Sequence, residues 1–217
     1  MSPTARPGAR AEKTRAAILE AAEAIFSECG FASTRLEDVA ERVGIRRASI
    51  VYHFKDKQEL YESVLDSVLG GLLKRLEPVL SAPTPLPDRI ENAVSTWVDY
   101  LGSRPSMARL LLREVADASP GRRPPILRYA QPIADLIRRE IITRPDFKTA
   151  KLTPIDPVHL TSMVVGSTVF FVAAMPSLVP ESGIDPVSPE HIAALRDEML
   201  RIVRRLLGTR GPRATTR

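Results

Sequence analysis

Cysteine is almost absent from this chain of 217 residues, in which Cys29 is the single example. One thiol excludes an internal disulfide and favours a reducing compartment. Because Cys29 ends the apolar stripe of a predicted helix, we expect its thiol to be buried. The first 15 residues carry arginines but no apolar run, so we expect neither a secretory signal nor a transit peptide. These absences predict a cytoplasmic protein.

The sequence also lacks the sustained alternation of apolar and polar residues that is typical of half-buried strands. Helical spacing recurs instead, which predicts an all-α fold. Prolines divide most of the chain into intervals of helical length. These intervals lie at about 57–77, 88–103, 106–118, 126–144, 157–175 and 189–207. Pro132 falls inside the fourth interval, so we expect that helix to be kinked or to begin there.

Basic and acidic residues are nearly balanced over most of the chain. The formal net charge of +5 arises mainly in residues 201–217, which hold six basic and no acidic side chains. Overall charge is therefore a poor argument for nucleic-acid binding. Between residues 45 and 57, however, two arginines and two lysines stand against one aspartate. This compact basic stretch indicates a place where a phosphate backbone can dock.

Short helical elements precede the long ones. An apolar stripe runs along residues 14–29 and is followed by Gly30, a residue that commonly ends a helix. We expect the next helix to begin with a capping box. In it the Thr34 hydroxyl accepts a backbone N–H and the Glu37 side chain reaches back. This second helix is predicted to end near Val43.

A tight turn connects the second helix to a third. Gly44 permits a positive φ, and the third helix is predicted from about Arg47 to Phe54. Four apolar side chains are spaced to face a common core, namely Val43, Ile45, Ile50 and Phe54. Two short helices joined in this way predict a helix-turn-helix. In such a motif the later of the two helices, here the third helix of the chain, enters the major groove of DNA.

The opposite side of the third helix is then directed outward. Its side chains include Arg46, Arg47, Ser49 and Val51, which we expect near base edges. Arginine is the side chain best shaped for bidentate contact with guanine. Tyr52, His53 and Lys57 follow with donors that suit phosphate oxygens. Two arginines at a helix start can also form a plain solvated face, but their place after the turn favours DNA contact.

The stretch GFASTRLEDVAERVGIRRASIVYHFKDKQELYESVL resembles the DNA-binding domain of the tetracycline-repressor (TetR) family, over about residues 12–65. The shared features are a glycine-aromatic pair, a threonine cap, a turn glycine and a terminal aromatic-His-Phe-Lys-x-Lys run. The resemblance implies DNA-backbone contacts from Thr34, Tyr52, His53 and Lys57, and places Arg46, Arg47, Ala48 and Ser49 near bases. Where the family often has an aromatic residue this chain has Val51, whose contact is reduced to apolar packing on, for example, a thymine methyl.

The resemblance further implies a homodimeric, ligand-responsive transcriptional regulator, with repression favoured over activation. Its two recognition helices would meet half-sites about 34–36 Å apart on a near-palindromic DNA operator. We expect a flexible arm at 1–11, a helix-turn-helix domain at 12–57, a helical effector-binding and dimerisation domain at 58–208, and a basic disordered tail at 209–217.

The last two predicted helices carry regular apolar seams. No formally charged residue occurs between Pro157 and Pro180, yet we favour a buried helix over a membrane span, because serines, threonines and Pro176 interrupt the apolar run. We predict that the two seams form a four-helix dimer interface. They comprise Leu160, Val164, Ser167, Phe171, Ile192, Leu195, Met199, Ile202 and Leu206. A core seam within one subunit is the alternative.

The effector pocket is predicted from apolar and flexible side chains of the helical domain. The candidates are Trp97, Met107, Leu110, Leu111, Tyr129, Met163 and Phe170, with Glu114 as a polar anchor. Such a lining predicts a lipophilic or aromatic small molecule, although each candidate can equally be plain core. Gly70 and Gly71 lie within a long helix, where they serve either as a ligand-sensitive hinge or as a site of close helix packing.

Two alternatives from other functional classes are a membrane-associated regulator and a helix-turn-helix fused to an enzyme. The three histidines, His53, His159 and His191, are far apart in sequence, and no metalloprotease, CxxC, phosphate-loop or nucleophile-elbow motif is present. We therefore expect no catalytic residue, no metal ion and no cofactor. Distant side chains can still converge in space, and cell fractionation tests the membrane alternative.

Overall fold

The computed structural model describes residues 7–117, 124–149 and 156–208. Within these ranges the chain forms helices and no strand, which confirms the predicted all-α fold. The helices are α1 (Pro7–Ser33), α2 (Leu36–Val43), α3 (Arg47–His53), α4 (Lys57–Leu80), α5 (Leu86–Ser103), α6 (Ser106–Ala116), α7 (Ile126–Ile137), α8 (Pro145–Thr149), α9 (Pro157–Leu178) and α10 (Pro189–Leu207). A π-helical turn, Arg138–Ile142, follows α7, and a 3-10 turn, Pro180–Ser182, follows α9. The predicted tail at 209–217 lies outside the described residues, as do residues 1–6 of the predicted arm.

The first helix differs from its prediction at both ends. It begins at Pro7, so residues 7–11 are helical and the arm predicted there is wrong over this range. At the other end Gly30 adopts a φ of +81°, which kinks the helix before its final turn. Cys29 is exposed, so the expected buried thiol is wrong.

The proline-bounded helices lie close to the predicted intervals. Pro132 is the exception, since α7 neither begins nor ends at this residue but runs through it and continues into the π-helical turn. Helix α9 likewise continues through Pro176 to Leu178. The intervals were predictable because proline lacks the backbone N–H that a helix interior needs.

Helix α4 is central to the packing. Leucines and valines recur along it from Leu60 to Leu80 and are buried against α1, α5 and α7. Each fully buried leucine contributes about 1.5–3 kcal/mol of transfer free energy. Helix α5 packs in turn against α9 and α10, and α6 lies between α1 and α9. One continuous helix therefore leads from the α1–α3 unit into the helical body.

The two glycines of α4 differ in their surroundings. A methyl group on Gly71 would lie 2.6 Å from the Tyr100 hydroxyl, which itself donates a hydrogen bond of 2.6 Å to the Val68 carbonyl. Close packing of α4 on α5 therefore requires a glycine at 71. A methyl group on Gly70 would meet no atom within 4 Å, so packing gives no reason for that glycine. The hinge interpretation remains a hypothesis for Gly70 alone.

Candidate functional site

The helix-turn-helix forms, but α2 is capped one residue later than predicted. The Arg35 backbone N–H donates to the Asp38 carboxylate at 3.0 Å, and the helix begins at Leu36. Gly44 adopts a φ of +75°, and its N–H donates to the Glu41 carbonyl at 3.1 Å. The expected capping box at Thr34 is therefore wrong, whereas the left-handed glycine in the turn is confirmed.

Helix α3 has one anchored side and one exposed side. Ile50 and Phe54 are buried in the core, and Val43 and Ile45 pack against its edge, as the spacing predicted. The opposite side presents Arg46, Arg47, Ala48, Val51 and Tyr52 as exposed residues, with Ser49 and His53 partly exposed. Tyr52 is 82% exposed, which is unusual for an aromatic side chain and leaves its hydroxyl accessible to a phosphate.

Glu37, on the first turn of α2, forms an ion pair with Arg47. The Arg47 Nε lies 2.7 Å from Glu37 Oε1, and both side chains are about 60% exposed. Exposed pairs of this kind contribute little to stability. The pair matters more for geometry, since it occupies the Nε donor and leaves N–H donors of the Nη groups for another partner. The sequence analysis assigned Glu37 to a capping box and missed this pairing with the predicted DNA-reading helix.

The Thr34 side chain does not fit its predicted phosphate contact. It is 2% exposed, and its hydroxyl donates to the Gly30 carbonyl at 2.7 Å. The threonine therefore stabilises the last turn of α1 after the kink. A side chain buried in this way is not presented to a phosphate, so the predicted contact of the Thr34 side chain is wrong.

Lys57 is also placed differently from its predicted role. Its Nζ donates to the carbonyls of Phe31 at 2.8 Å, Ala32 at 3.2 Å and Thr34 at 3.0 Å. An ammonium has three N–H donors, and all three are occupied here. The same Nζ lies 4.5 Å from the centroid of the Phe31 ring. Lys57 therefore fixes the start of α4 to the end of α1, and the phosphate assignment is corrected to a structural one.

Replacing Lys57 by methionine is expected to destabilise the folded protein by about 2 kcal/mol, because three carbonyls lose a charged donor. The change should leave the salt dependence of operator binding unaltered, whereas loss of a phosphate contact reduces its slope by about one unit. Urea unfolding and operator titrations over a range of salt measure the two effects, with the exposed neighbour Lys55→Met as the stability control. A reduced slope with unchanged stability would restore the phosphate role.

The helical body encloses a cavity of about 680 Å³ between α4, α5, α7, α9 and the end of α10. Its lining is almost entirely apolar. The lining residues are Leu72, Leu76, Leu80, Ile90, Ala93, Val94, Trp97, Ile133, Ile137, Ile141, Phe147, Asp156, Pro157, Leu160, Thr161, Val164, Val165 and Leu207. This volume is in the range of small-molecule sites in proteins.

Most of the predicted pocket residues lie elsewhere. Trp97 lines the cavity, and its indole N–H donates to the Thr168 hydroxyl at 2.8 Å. Met107 and Leu110 are buried in the core and Leu111 packs against it, outside the cavity lining. Met163 and Phe170 are each 49% exposed on the outer side of α9. Tyr129 lines a smaller surface cleft and bonds to Glu62, so it too is outside the apolar cavity.

Glu114 is a structural link and not a ligand anchor. Its carboxylate accepts a hydrogen bond of 2.5 Å from the Tyr61 hydroxyl and one of 3.1 Å from the Ile126 backbone N–H. Burial, together with this bond, raises the pKa of Tyr61, so the phenol remains protonated and continues to donate. The three groups join α4, α6 and the start of α7.

A second polar link joins α1 to the body. The buried carboxylate of Glu23 accepts hydrogen bonds from the Arg104 Nε at 2.8 Å and from the Ser106 hydroxyl. The bond to Glu23 raises the pKa of Arg104, which therefore stays charged. Nearby, the Arg113 Nε donates to the Ser27 carbonyl at 3.1 Å. The α1–α3 unit is thus attached to the body by directional contacts as well as by apolar packing.

The comparison with known proteins identifies the chain. Residues 18–64 match the family described as bacterial regulatory proteins, tetR family. The HTH-type transcriptional regulator RutR of Escherichia coli K12 is 30% identical over 183 residues, which cover 84% of this chain and 81% of RutR. The chain belongs to the tetR family. It is a DNA-binding transcriptional regulator, as the sequence resemblance implied.

Solved structures share the whole fold of this tetR-family protein. FadR from Bacillus subtilis, in complex with stearoyl-CoA, has a TM-score of 0.66 at 16% identity and covers 90% of this chain and 99% of its own. The ketosteroid regulator KstR2 of Mycobacterium tuberculosis has a TM-score of 0.60 at 19% identity and covers 91% and 95%. At such identities the likeness establishes the fold alone.

Three of the nine predicted dimer residues of the tetR-family chain are buried within one protomer, five are half-buried and one is exposed. Val164, Ile192 and Met199 are buried, and Leu160 lines the cavity together with Val164. Phe171, Leu195 and Ile202 pack against the core, Leu206 is half-buried, and Ser167 is exposed. The alternative of an intramolecular seam is therefore correct for the buried residues.

The exposed apolar side of α9 lies about a quarter turn from the predicted seam, at 100° per residue. It carries Met163, Gly166 and Phe170, with the seam residue Ser167 at its edge, on the side of α9 away from the cavity. Within the described residues, α9 is long and apolar enough to cross a membrane, yet only 22% of its most apolar stretch is buried. The expectation of a buried helix is thus wrong for a single protomer.

Proposed function

We propose that this tetR-family regulator is a homodimeric repressor. It binds a near-palindromic double-stranded operator through α3 and is released when a small lipophilic effector enters the cavity. The observation that carries the DNA part is the exposed side of α3, which presents two arginines while Ile50 and Phe54 anchor the helix. We assign base contacts to Arg46, Arg47, Ala48, Ser49 and Val51, and phosphate contacts to Tyr52 and His53.

We propose that Glu37 sets the direction in which Arg47 reads DNA. The carboxylate occupies the Arg47 Nε, so the two Nη groups are available for the O6 and N7 acceptors of one guanine. The same carboxylate repels the phosphate backbone. Glu37 therefore favours the base contact of Arg47 over a phosphate contact and lowers affinity for DNA of unrelated sequence.

The experiment that tests the DNA assignment compares Arg47→Ala with Glu37→Ala by selection from a randomised operator library. Arg47→Ala should lose preference for one base pair in each half-site, a loss of about 1–3 kcal/mol of discrimination. Glu37→Ala should also weaken that preference, but it should raise affinity for random DNA.

Arg201→Ala is a matched control for both variants, because Arg201 is an equally exposed arginine paired with Glu198 at 2.7 Å on the distant helix α10. It should bind with unchanged preference. An unaltered base preference in Arg47→Ala would remove α3 from the proposed interface.

The effector part of the proposal rests on the cavity. Its wall is built from leucine, isoleucine and valine with Trp97 and Phe147, which favours an apolar occupant. Structural neighbours include a regulator in complex with stearoyl-CoA and a ketosteroid regulator, and both names are consistent with apolar ligands. Each buried methylene contributes about 0.8 kcal/mol, so a chain of moderate length suffices for tight binding.

The dimer part rests on the exposed side of α9, which we assign to the interface and which keeps Ser167 of the predicted seam. A second candidate, a membrane-associated regulator anchored by α9, is supported by the length and apolar composition of that helix. We favour a cytoplasmic dimer, because the exposed side carries the small residues Gly166 and Ser167 between Met163 and Phe170, which allow two helices to approach closely. We assign no enzymatic activity, since the relatives are transcriptional regulators.

A further inference from the structure

Among the described residues, the part of the cavity lining that reaches solvent lies at the start of α9, and we call it the opening. Of its lining residues, Asp156 and Thr161 are the exposed ones, and they lie within one and a half turns of each other. The remaining lining residues are buried or half-buried. A bound molecule therefore places its apolar part among the leucines and isoleucines, and its polar end meets Asp156 and Thr161.

A negatively charged group has no cation at this opening among the described residues. The described lining contains no lysine, arginine or histidine. Arg89 precedes the lining residue Ile90, but it is fully buried outside the lining, where its guanidinium forms an ion pair with Asp146 and donates to the Glu140 carbonyl at 3.1 Å. A carboxylate or phosphate brought to the opening would lose hydration and gain no charged partner from the described lining.

The N-terminus of α9, which lies at the opening, is already occupied by a side chain. Helix N-termini bind anions through their unpaired backbone N–H groups. At α9 the Asp156 carboxylate accepts from the Val158 N–H at 2.7 Å and from the His159 N–H at 3.3 Å. A second anion would lack these donors and would be repelled by Asp156.

The polar groups of the opening present acceptors. The Thr161 hydroxyl donates to the Pro157 carbonyl at 2.8 Å, so its oxygen is left to accept. The Trp97 N–H is taken by Thr168. We infer that the effector is a lipophile whose polar end is a hydrogen-bond donor without negative charge, such as an alcohol or an amine, held by Asp156 and Thr161. This inference rests on the proposal that the cavity receives the effector.

The test uses three probes that share one chain, dodecanol, dodecylamine and dodecanoate, at pH 8. Dodecanol is kept below its solubility limit and the two ionic probes below their critical micelle concentrations. Binding is followed by displacement of a neutral fluorescent dye from the full-length protein. Dodecanol and dodecylamine should bind about ten- to hundredfold more tightly than dodecanoate, because only the carboxylate is desolvated without a partner.

Asp156→Asn separates the role of the charge from that of the helix cap, since asparagine caps helices as well as aspartate does. In this variant dodecylamine should bind more weakly and dodecanoate more tightly. The ratio of the dodecylamine affinity to the dodecanoate affinity should therefore fall at least several-fold. Asp185→Asn is the matched control, because the exposed Asp185 carboxylate also accepts a backbone N–H, from Val187 at 3.1 Å, outside the cavity lining. It should leave all three affinities unchanged.

The outcomes distinguish this inference from the proposed function. If dodecanoate binds as tightly as dodecanol, or if Asp156→Asn does not change the preference, the inference about the polar end is overturned while the cavity remains a ligand site. If none of the three probes displaces the dye, the cavity is not a site for chains of this length, and both the effector proposal and the inference fail.

Discussion

Replacing Phe170 by aspartate should convert the dimer into monomers and lower operator affinity about 10²–10⁴-fold. Phe170 is 49% exposed on the outer side of α9, next to Met163, Gly166 and Ser167. In a dimer a carboxylate at this position would be buried without a partner, which costs several kcal/mol. Operator affinity falls because a monomer contacts one half-site, whereas in a dimer binding of one half-site raises the effective concentration of the second DNA-binding unit at the other.

Light scattering coupled to size-exclusion chromatography and operator titration measure this change. Leu127→Asp is the matched control, because Leu127 on α7 is 51% exposed and also apolar. The control should remain dimeric and bind DNA normally. A Phe170→Asp protein that stays dimeric would exclude this side of α9 as the interface. Recovery of the native protein in the membrane fraction would instead support the anchored alternative.

Replacing Arg89 by leucine should destabilise the fold by about 3 kcal/mol. The side chain is fully buried, forms an ion pair with Asp146 and donates to the carbonyls of Leu80 at 3.4 Å and Glu140 at 3.1 Å. Removing one partner of a buried pair costs about 3–5 kcal/mol, and the lower end applies because the Asp146 side chain is 42% exposed and can regain water. For a chain of this length the melting temperature should fall by roughly 6–12 °C.

The same change should also weaken effector binding. The carbonyl of Glu140 precedes Ile141 and the carboxylate of Asp146 precedes Phe147, and both Ile141 and Phe147 line the cavity. Arg89 therefore positions part of the cavity wall. Arg138→Leu is the control, because Arg138 is exposed and its ion pair within the described ranges is with Asp135, three residues earlier, at 3.7 Å. In urea unfolding and dye-binding experiments, the stability and the dye affinity of the control should equal those of the native protein. Equal stability of Arg89→Leu and the native protein would contradict the structural role.

The DNA-binding unit was largely predictable from sequence, because its signals are local. Gly44 enforces the turn, and the spacing of Ile50 and Phe54 decides which side of α3 faces inward. The errors at Thr34 and Lys57 have different ranges. Lys57 bonds to backbone carbonyls up to 26 residues away, a partner that no local pattern reveals. Thr34 bonds only four residues back, to the Gly30 carbonyl, because the chain continues as α1 to Ser33 after the kink at Gly30.

The cavity was poorly predicted for a different reason. Leu72, Leu76 and Leu80 follow a plain helical spacing, which is identical for a packed core and for a cavity wall. What distinguishes the two is whether side chains from other helices fill the space opposite. Of the residues predicted for the pocket, only Trp97 lies in the lining. The positions of the other candidates depend on which helices pack against each other, and helical spacing does not specify that.

The sequence by itself determined the all-α class, the bounds of most helices and the helix-turn-helix, because capping residues, prolines and helical periodicity act within a few residues. It also identified the family, through motifs confined to about 50 residues. Only the tertiary structure decided which apolar stripe of α9 faces the core, where the cavity opens, and which cations are already paired. These depend on contacts between segments far apart in the chain, which are fixed when the helices pack and not when each helix forms.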